Sequence, residues 1–188
     1  MTAESPALHG RGWAVDESAR AALIATYDLE ALRSTDALRQ ITDFAAALCD
    51  TPVALISLVE ETRQTFIAHS GTDVTGTPRD ISFCQFAMLG DDVMVVPDLS
   101  GDARFAANPL VTGELHLRSY AGAPLTSENG VPLGSLCVLS PEPRPAGLTA
   151  LQRQGAADAR RQRHGAAARH ARRRRVAPCG ERRPPLAE

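Results

Sequence analysis

The chain has 188 residues and a formal charge of −2, a length that suits one domain and leaves little room for a second. All 20 basic residues are arginine, so mechanisms that need a lysine, Schiff-base chemistry and Walker-type phosphate binding among them, are excluded. The charge is uneven: Met1 to Gln152 holds 9 arginines against 19 acids, a net −10, whereas Arg153 to Glu188 holds 11 arginines against 3 acids, a net +8.

Four cysteines, Cys49, Cys84, Cys137 and Cys179, stand far apart with no CxxC spacing and no histidine at a ligand-like offset. Neither a metal site nor a disulfide framework is expected from them. No run approaches about 18 apolar residues, and the start, "MTAESPALHG", lacks a charged region followed by an apolar one. The expected setting is a reducing cytoplasm with no membrane contact.

In chain order, residues 1–15 read as a flexible leader, residues 16–152 as the folded domain and residues 153–188 as an arginine- and alanine-rich tail. Asp16 caps a predicted helix carrying Ala19, Leu23, Leu29 and Leu32, which Ser34-Thr35-Asp36 interrupts. A second helix is predicted from about Asp36 to Cys49, with Leu38, Ile41, Phe44, Ala45 and Leu48 on its apolar stripe and Pro52 beyond its end. "VALISLVE" and "RQTFIAHSG" form a predicted hairpin with little alternation, and Thr72 to Arg79 is loop. "ISFCQFAM" favours a short helix, "VMVVPD" is a strand ended by Pro97, and "DARFAANP" makes one or two helical turns between a capping Asp102 and a closing Asn108-Pro109. "YAGAPLTSENGVPLGSLCVL" is a second hairpin about Asn129-Gly130, a pair that tolerates the positive φ of a tight turn. Its strands are apolar on both faces. An antiparallel sheet covered on both sides follows, with the helices on one face and the segments between Thr72 and Leu115 on the other.

"PVALISLVEETRQTFIAHSG", "PRDISFCQFAM", "VVPDLSGDARFAANPLVTG" and "LRSYAGAPLTSENGVPLGSLCVL" resemble, in order and spacing, the GAF domains of bacterial sensor histidine kinases and diguanylate cyclases, over about Ala19 to Gln152. The resemblance implies an α+β fold with an antiparallel β-sheet of five or six strands, helices on one face and a pocket for a small molecule or partner on the other. It implies a non-catalytic sensory domain without a cofactor, in which an unidentified ligand biases an output helix, the signalling output domain being absent from this chain. Two positions depart from the family pattern: Phe86 stands where a histidine is usual, and Ser119 where an aromatic residue is usual beside Tyr120. A chain without lysine lacks the signature of cyclic-nucleotide-binding relatives, and Cys84 is followed by Gln85 rather than the histidine of bilin-binding ones, so no chromophore is expected.

The candidate ligand-pocket residues are Phe83, Cys84, Asp98, Arg104, Phe105, Tyr120 and Cys137. Phe83, Phe105 and Tyr120 suit either a pocket wall or plain core. Asp98, Asp102 and Arg104 suit either a ligand's polar groups or a capped turn with its own ion pair. Cys84 and Cys137 suit small buried hydrophobes, or a thiol-redox enzyme of the methionine sulfoxide reductase type. The second needs a thiolate near positive charge, for which Arg79 and Arg118 are the candidates. The separation of the two sulfurs decides whether they can react with each other. His69 and His116 have no partner at metal-ligand spacing and receive no role.

The tail's charge invites a nucleic-acid reading, but it carries no interleaved aromatic residues and matches no binding fold. Its apolar stripe begins with Leu148 and Leu151, behind a capping box of Thr149 and Gln152, then stops. Of the 36 residues from Arg153, 26 are alanine, arginine, glycine or proline. That bias is expected of a GC-rich gene read out of frame, which would leave the tail disordered and disrupt the dimerisation helix that relatives carry there.

Overall fold

A computed structural model describes residues 16–155 and residue 158. The leader expected over residues 1–15, Cys179 and all of the tail except residues 153–155 and 158 lie outside the described residues.

Asp16 caps α1 (Glu17–Ala25), its carboxylate accepting from the Ala19 amide at 3.1 Å. The single helix read from Asp16 to Leu32 is in fact two. The Thr26 hydroxyl donates back to the Leu23 carbonyl at 2.7 Å, and Asp28 caps α2 (Leu29–Arg33) through the Ala31 amide. Thr26 and Asp28 thus offer the backbone a stop and a new start within three residues. Next comes α3 (Asp36–Cys49), which ends where Asp50 turns left-handed at φ 50°. Its buried side is Leu38, Thr42, Ala45 and Cys49, whereas Phe44, expected on the apolar stripe, is 56% exposed. Thr42 can be buried because its hydroxyl donates to the Arg39 carbonyl, and with Ala45 it lets the helix lie close on the sheet.

The remaining elements are β1 (Val53–Val59), β2 (Arg63–Ser70), β3 (Gly76–Pro78), α4 (Cys84–Ala87), β4 (Met94–Val96), α5 (Pro109–Thr112), β5 (Ser119–Thr126) and β6 (Pro132–Ser140). They build a six-stranded antiparallel sheet in the order β3-β2-β1-β6-β5-β4, a GAF-like α+β fold. Three expectations need correcting. The loop read over Thr72 to Arg79 contains β3, an edge strand paired with Arg63 to Thr65, where Pro78 is tolerated because an edge leaves one side unpaired. "DARFAANP" is a run of turns, and Asn108 opens α5 rather than closing a helix: its side chain accepts from the Leu110 amide, with Pro109 in the first turn. The β5–β6 turn is a loop over residues 127–131 in which Gly130 alone has positive φ, held by the Ser127 hydroxyl accepting from the Val131 amide.

Alternation then sorts the strands onto two faces. Ile56, Leu58, Ala121, Leu136 and Val138 meet Ile24, Leu32, Leu38 and Leu148 on the helix face. Leu55, Val59, Tyr120, Cys137 and Leu139 meet Phe83, Met88, Leu99 and Phe105 on the second face. The expected core residues Leu55, Ile56, Leu58, Leu136 and Val138 are all 6% exposed or less. No described helix is long and apolar enough to cross a membrane.

β1 and β6 pair from Val53 opposite Leu139 to Leu58 opposite Gly134, joining the two halves of the sheet. At Gly134 a Cβ would stand 1.9 Å from the Ser57 carbonyl oxygen, so only glycine permits this approach. Gly134→Ala is expected to destabilise the fold by about 3 kcal/mol, the upper end of overpacking costs, measured by urea denaturation. A midpoint equal to the parent's would contradict the close pairing.

A buried arginine ties α1 to this sheet. Arg20 is 0% exposed, donates to the Val59 carbonyl at the end of β1 and forms a two-point ion pair with Glu17. Glu17 also pairs with Arg79, which in turn donates to the Glu60 and Glu61 carbonyls. The Arg20 hydrogen bond, opposed by burial and helped by Arg79, holds the Glu17 carboxyl down at about 2 against an ordinary 4.5. A carboxyl depressed by folding stabilises the native state above its unfolded pKa. That stabilisation should fade as pH falls from about 4.5 to about 2, by a modest amount because the Glu17 side chain is 40% exposed. Denaturation midpoints across that window should slope less in Glu17→Gln than in the parent, and identical slopes would contradict the network.

Candidate functional site

The middle of the second face is polar. In β1 and β6, Ser57 and Ser135 lie opposite each other and are fully buried, the Ser57 hydroxyl donating to the Ser135 carbonyl at 3.2 Å. From β2, Gln64 is 3% exposed, and its Oε1 accepts from the buried Ser82 hydroxyl. Its Nε2 donates to Cys84 Sγ at 3.4 Å. From β5, the Tyr120 hydroxyl donates to Cys84 Sγ at 3.4 Å and lies 3.3 Å from Ser135 Oγ. Gly122 makes this possible, because the Tyr120 ring folds over it and a Cβ there would stand 2.2 Å from the phenol oxygen. Cys84 Sγ and Cys137 Sγ are 3.6 Å apart, in van der Waals contact.

A lid covers this network. Phe83 and α4 bring Cys84 down onto the sheet, and Phe83 packs edge-on against Phe105 and Tyr120 with ring centroids 5.1 and 5.5 Å away. Phe86, at the unusual position, meets Phe105 the same way at 5.2 Å. The lid is held by Gln85 Nε2 donating to the Arg79 carbonyl at 2.9 Å and by Asn108 Nδ2 donating to the Ile81 carbonyl at 3.0 Å. Arg79 therefore links the lid to Glu17 of α1.

Of the seven candidate residues, Phe83, Cys84, Phe105, Tyr120 and Cys137 come together here, each 3% exposed or less. Asp98 and Arg104 do not join them. Asp98 closes an exposed turn by accepting from the Ser100 amide and hydroxyl. Arg104 makes a two-point pair with Asp102 and lies 4.7 Å over the Phe105 ring. Arg79 and Arg118 are occupied elsewhere, Arg118 donating to the Val111 and Leu117 carbonyls, and the Cys84 sulfur draws its donors from Gln64, Tyr120 and Cys137 instead. Ser57, Gln64, Ser82 and Ser135 were not among the candidates. Ser57 and Ser135 each interrupt an otherwise apolar run, whereas Gln64, between Arg63 and Thr65, and Ser82, close after Arg79-Asp80, carry no such signal.

The network makes the two thiols unequal. Burial pushes Cys84 up, but the hydrogen bonds it accepts, that of Cys137 foremost, together outweigh it and hold this thiol below its ordinary value. Donating to Cys84 raises Cys137 well above its own, and burial adds to that. Burial likewise raises the Tyr120 phenol, so it stays a protonated donor. Of the two sulfurs, Cys84 is the one that Gln64 Nε2 and the Tyr120 hydroxyl reach. A separate small apolar cleft opens on the helix face, lined by Phe44, Leu48, Cys49 and Leu148 among others.

The chain is 43% identical over 129 residues to the cyclic di-GMP phosphodiesterase PA2567 of Pseudomonas aeruginosa, a match that covers 69% of this chain and only 22% of that protein. The GAF domain of an Acinetobacter phosphoenolpyruvate-protein phosphotransferase superposes with a TM-score of 0.59 at 17% identity, covering 85% of this chain and 98% of that one. The free methionine-R-sulfoxide reductase of Neisseria meningitidis superposes with a TM-score of 0.54 at 19% identity, covering 90% of this chain and 99% of that one. At such identities the two structures share the fold alone. The GAF domain model matches residues 34–157, which takes in all six strands and the lid, and the chain belongs to the GAF domain family.

Proposed function

We propose that this chain is a non-catalytic, cytoplasmic sensory domain of a bacterial signalling protein, of the type that regulates histidine kinases and cyclic di-GMP enzymes. The observation that carries the reading is the match to a minor part of a much longer phosphodiesterase, 43% identical yet spanning 22% of its length. A unit shared at that level with one segment of a signalling enzyme suits a regulatory module, with the hydrolytic site elsewhere in such a protein. The second face receives the signal as a small molecule or a partner segment.

Contacts within the domain suit that role. Gln85 joins the lid to Arg79, and Arg79 joins Glu17 of α1, so a change under α4 bears on the N-terminal helix. At the other end, the helix that starts at residue 150 has the expected capping box, Thr149 and Gln152 bonding each other's amides at 2.9 and 3.2 Å. Gln152 Nε2 then donates to the Leu48 carbonyl of α3 at 3.0 Å. A ligand acts through such contacts only by binding two arrangements of them unequally.

The purified chain should turn over neither cyclic di-GMP nor free methionine sulfoxide, assayed by chromatography with a dithiol reductant present. Sustained methionine sulfoxide reduction that disappears in Cys84→Ser or Cys137→Ser would overturn the reading in favour of a thiol enzyme, and cyclic di-GMP hydrolysis would place an output activity in this chain.

A further inference from the structure

Cys84 and Cys137 are 53 positions apart in the sequence, one on the lid helix and one on a central strand of the sheet. The fold nonetheless sets their sulfurs 3.6 Å apart, with no atom between them. We propose that the two are a reversible oxidation site, which a water-sized hydroperoxide converts into an intrachain disulfide joining α4 to β6.

Four features of the site argue for this chemistry. The sulfurs need to approach by about 1.5 Å to reach bonding distance, a shift that a four-residue helix on a loop can supply. Gln64 Nε2 and the Tyr120 hydroxyl both reach the Cys84 sulfur, each at 3.4 Å, and Cys137 stands beside it as the resolving thiol. The other described cysteine, Cys49, lies in the helix-face cluster across the sheet and cannot compete for the same partner. Both cysteines are 2% exposed or less, so a bulky disulfide oxidant has no path to them, while a peroxide needs only a brief opening of α4. That opening breaks the Gln85 bonds to Ser82 and Arg79, the Gln64 and Tyr120 bonds to Cys84 and the Phe83 ring contacts, but no strand pairing.

The reaction balances. Cys84, as thiolate, attacks the peroxide oxygen, the O–O bond breaks, and the departing oxygen takes up the proton that Cys84 released on ionising, leaving a sulfenic acid and water. Cys137 then attacks the Cys84 sulfur; the S–O bond breaks, the S–S bond forms, and the hydroxide leaves with the Cys137 proton as water. Two thiols are oxidised by two electrons and one hydroperoxide is reduced. An external dithiol restores the pair. Oxidation weakens the acceptor of the Gln64 and Tyr120 hydrogen bonds and fastens the lid to the floor of the site.

The inference goes beyond the sensory reading, because the cross-link is scored on the chain alone whether or not any output responds. The full chain and its Cys49→Ala/Cys179→Ala variant are reduced, exposed to hydrogen peroxide while folded, alkylated in denaturant and digested without reductant for mass spectrometry. The expected result is a peptide pair linked through Cys84 and Cys137, lighter by two hydrogens and separated by dithiothreitol, whereas oxidised glutathione yields none. In Cys137→Ser, dimedone should capture a sulfenic acid at Cys84. Two free thiols after a dose that fully oxidises an exposed cysteine, or links to Cys49 in place of Cys137, would overturn the proposal. The unmutated chain decides the matter should a variant fail to fold.

Discussion

Everything else in this domain hangs on the pairing of β1 with β6. The chain forms two local units, β1-β2-β3 and β4-β5-β6, and this one antiparallel seam makes them a single sheet. Gly134 allows the strands to close where any side chain would strike the Ser57 carbonyl. The register of the seam then decides what each face carries. Ile56 opposite Leu136 sends apolar bulk toward α1, α2 and α3, and Leu55 opposite Cys137 sends a leucine and a thiol toward the lid. A slip of one residue would exchange the two faces and place the thiol among the helices.

The second face is a costly arrangement for a core. Ser57, Gln64, Ser82 and Ser135 are buried within an apolar shell where valine or leucine would pack without polar partners. Their side-chain polar atoms are nonetheless partnered, Thr51 Oγ1 being the buried one left without a partner among the described residues. A satisfied network of this kind fixes geometry: it orients the Tyr120 hydroxyl, and Tyr120 with Gln64 positions the Cys84 sulfur. Gly122 has a matching part, leaving the space in which the Tyr120 ring lies. The face is thus built to hold one thiol in a set environment, under a lid that no strand pairing ties to the sheet.

Much of this was legible in the amino-acid order. The apolar runs around Ile56 and Leu136 declare two hairpins buried on both sides, and the blocks from Pro52 to Leu139 carry the family resemblance. Boundaries were harder where short polar side chains compete for the backbone. Thr26 and Asp28 split one periodic helix into two, and Asn108 opens a helix at a spot that reads equally well as an end. Phe44 misleads because an aromatic residue on an apolar stripe is ordinarily core, yet here α3 turns its smaller residues, Thr42 and Ala45, to the sheet. Arg20 is the reverse case, a charged residue in a surface-like helix that turns inward because Glu17 and the end of β1 are both in reach. Asp98 and Arg104 could not be told from site residues by sequence, since a turn and a ligand recruit the same side chains. Neither could the meeting of Cys84 with Cys137, which depends on a lid segment whose path over the sheet leaves no periodicity to read.

The central claim to test is that α4 opens alone, with the sheet intact, to expose the second face. Site-resolved amide hydrogen exchange of the reduced chain in low urea tests this directly. The Met88 amide, bonded to the Cys84 carbonyl at 2.9 Å, should exchange through an opening of lower free energy that is insensitive to urea, while the Leu136 amide in β6 exchanges only with global unfolding. Equal free energies and equal urea dependence at the two positions would mean that α4 opens only when the sheet does, and would contradict the account.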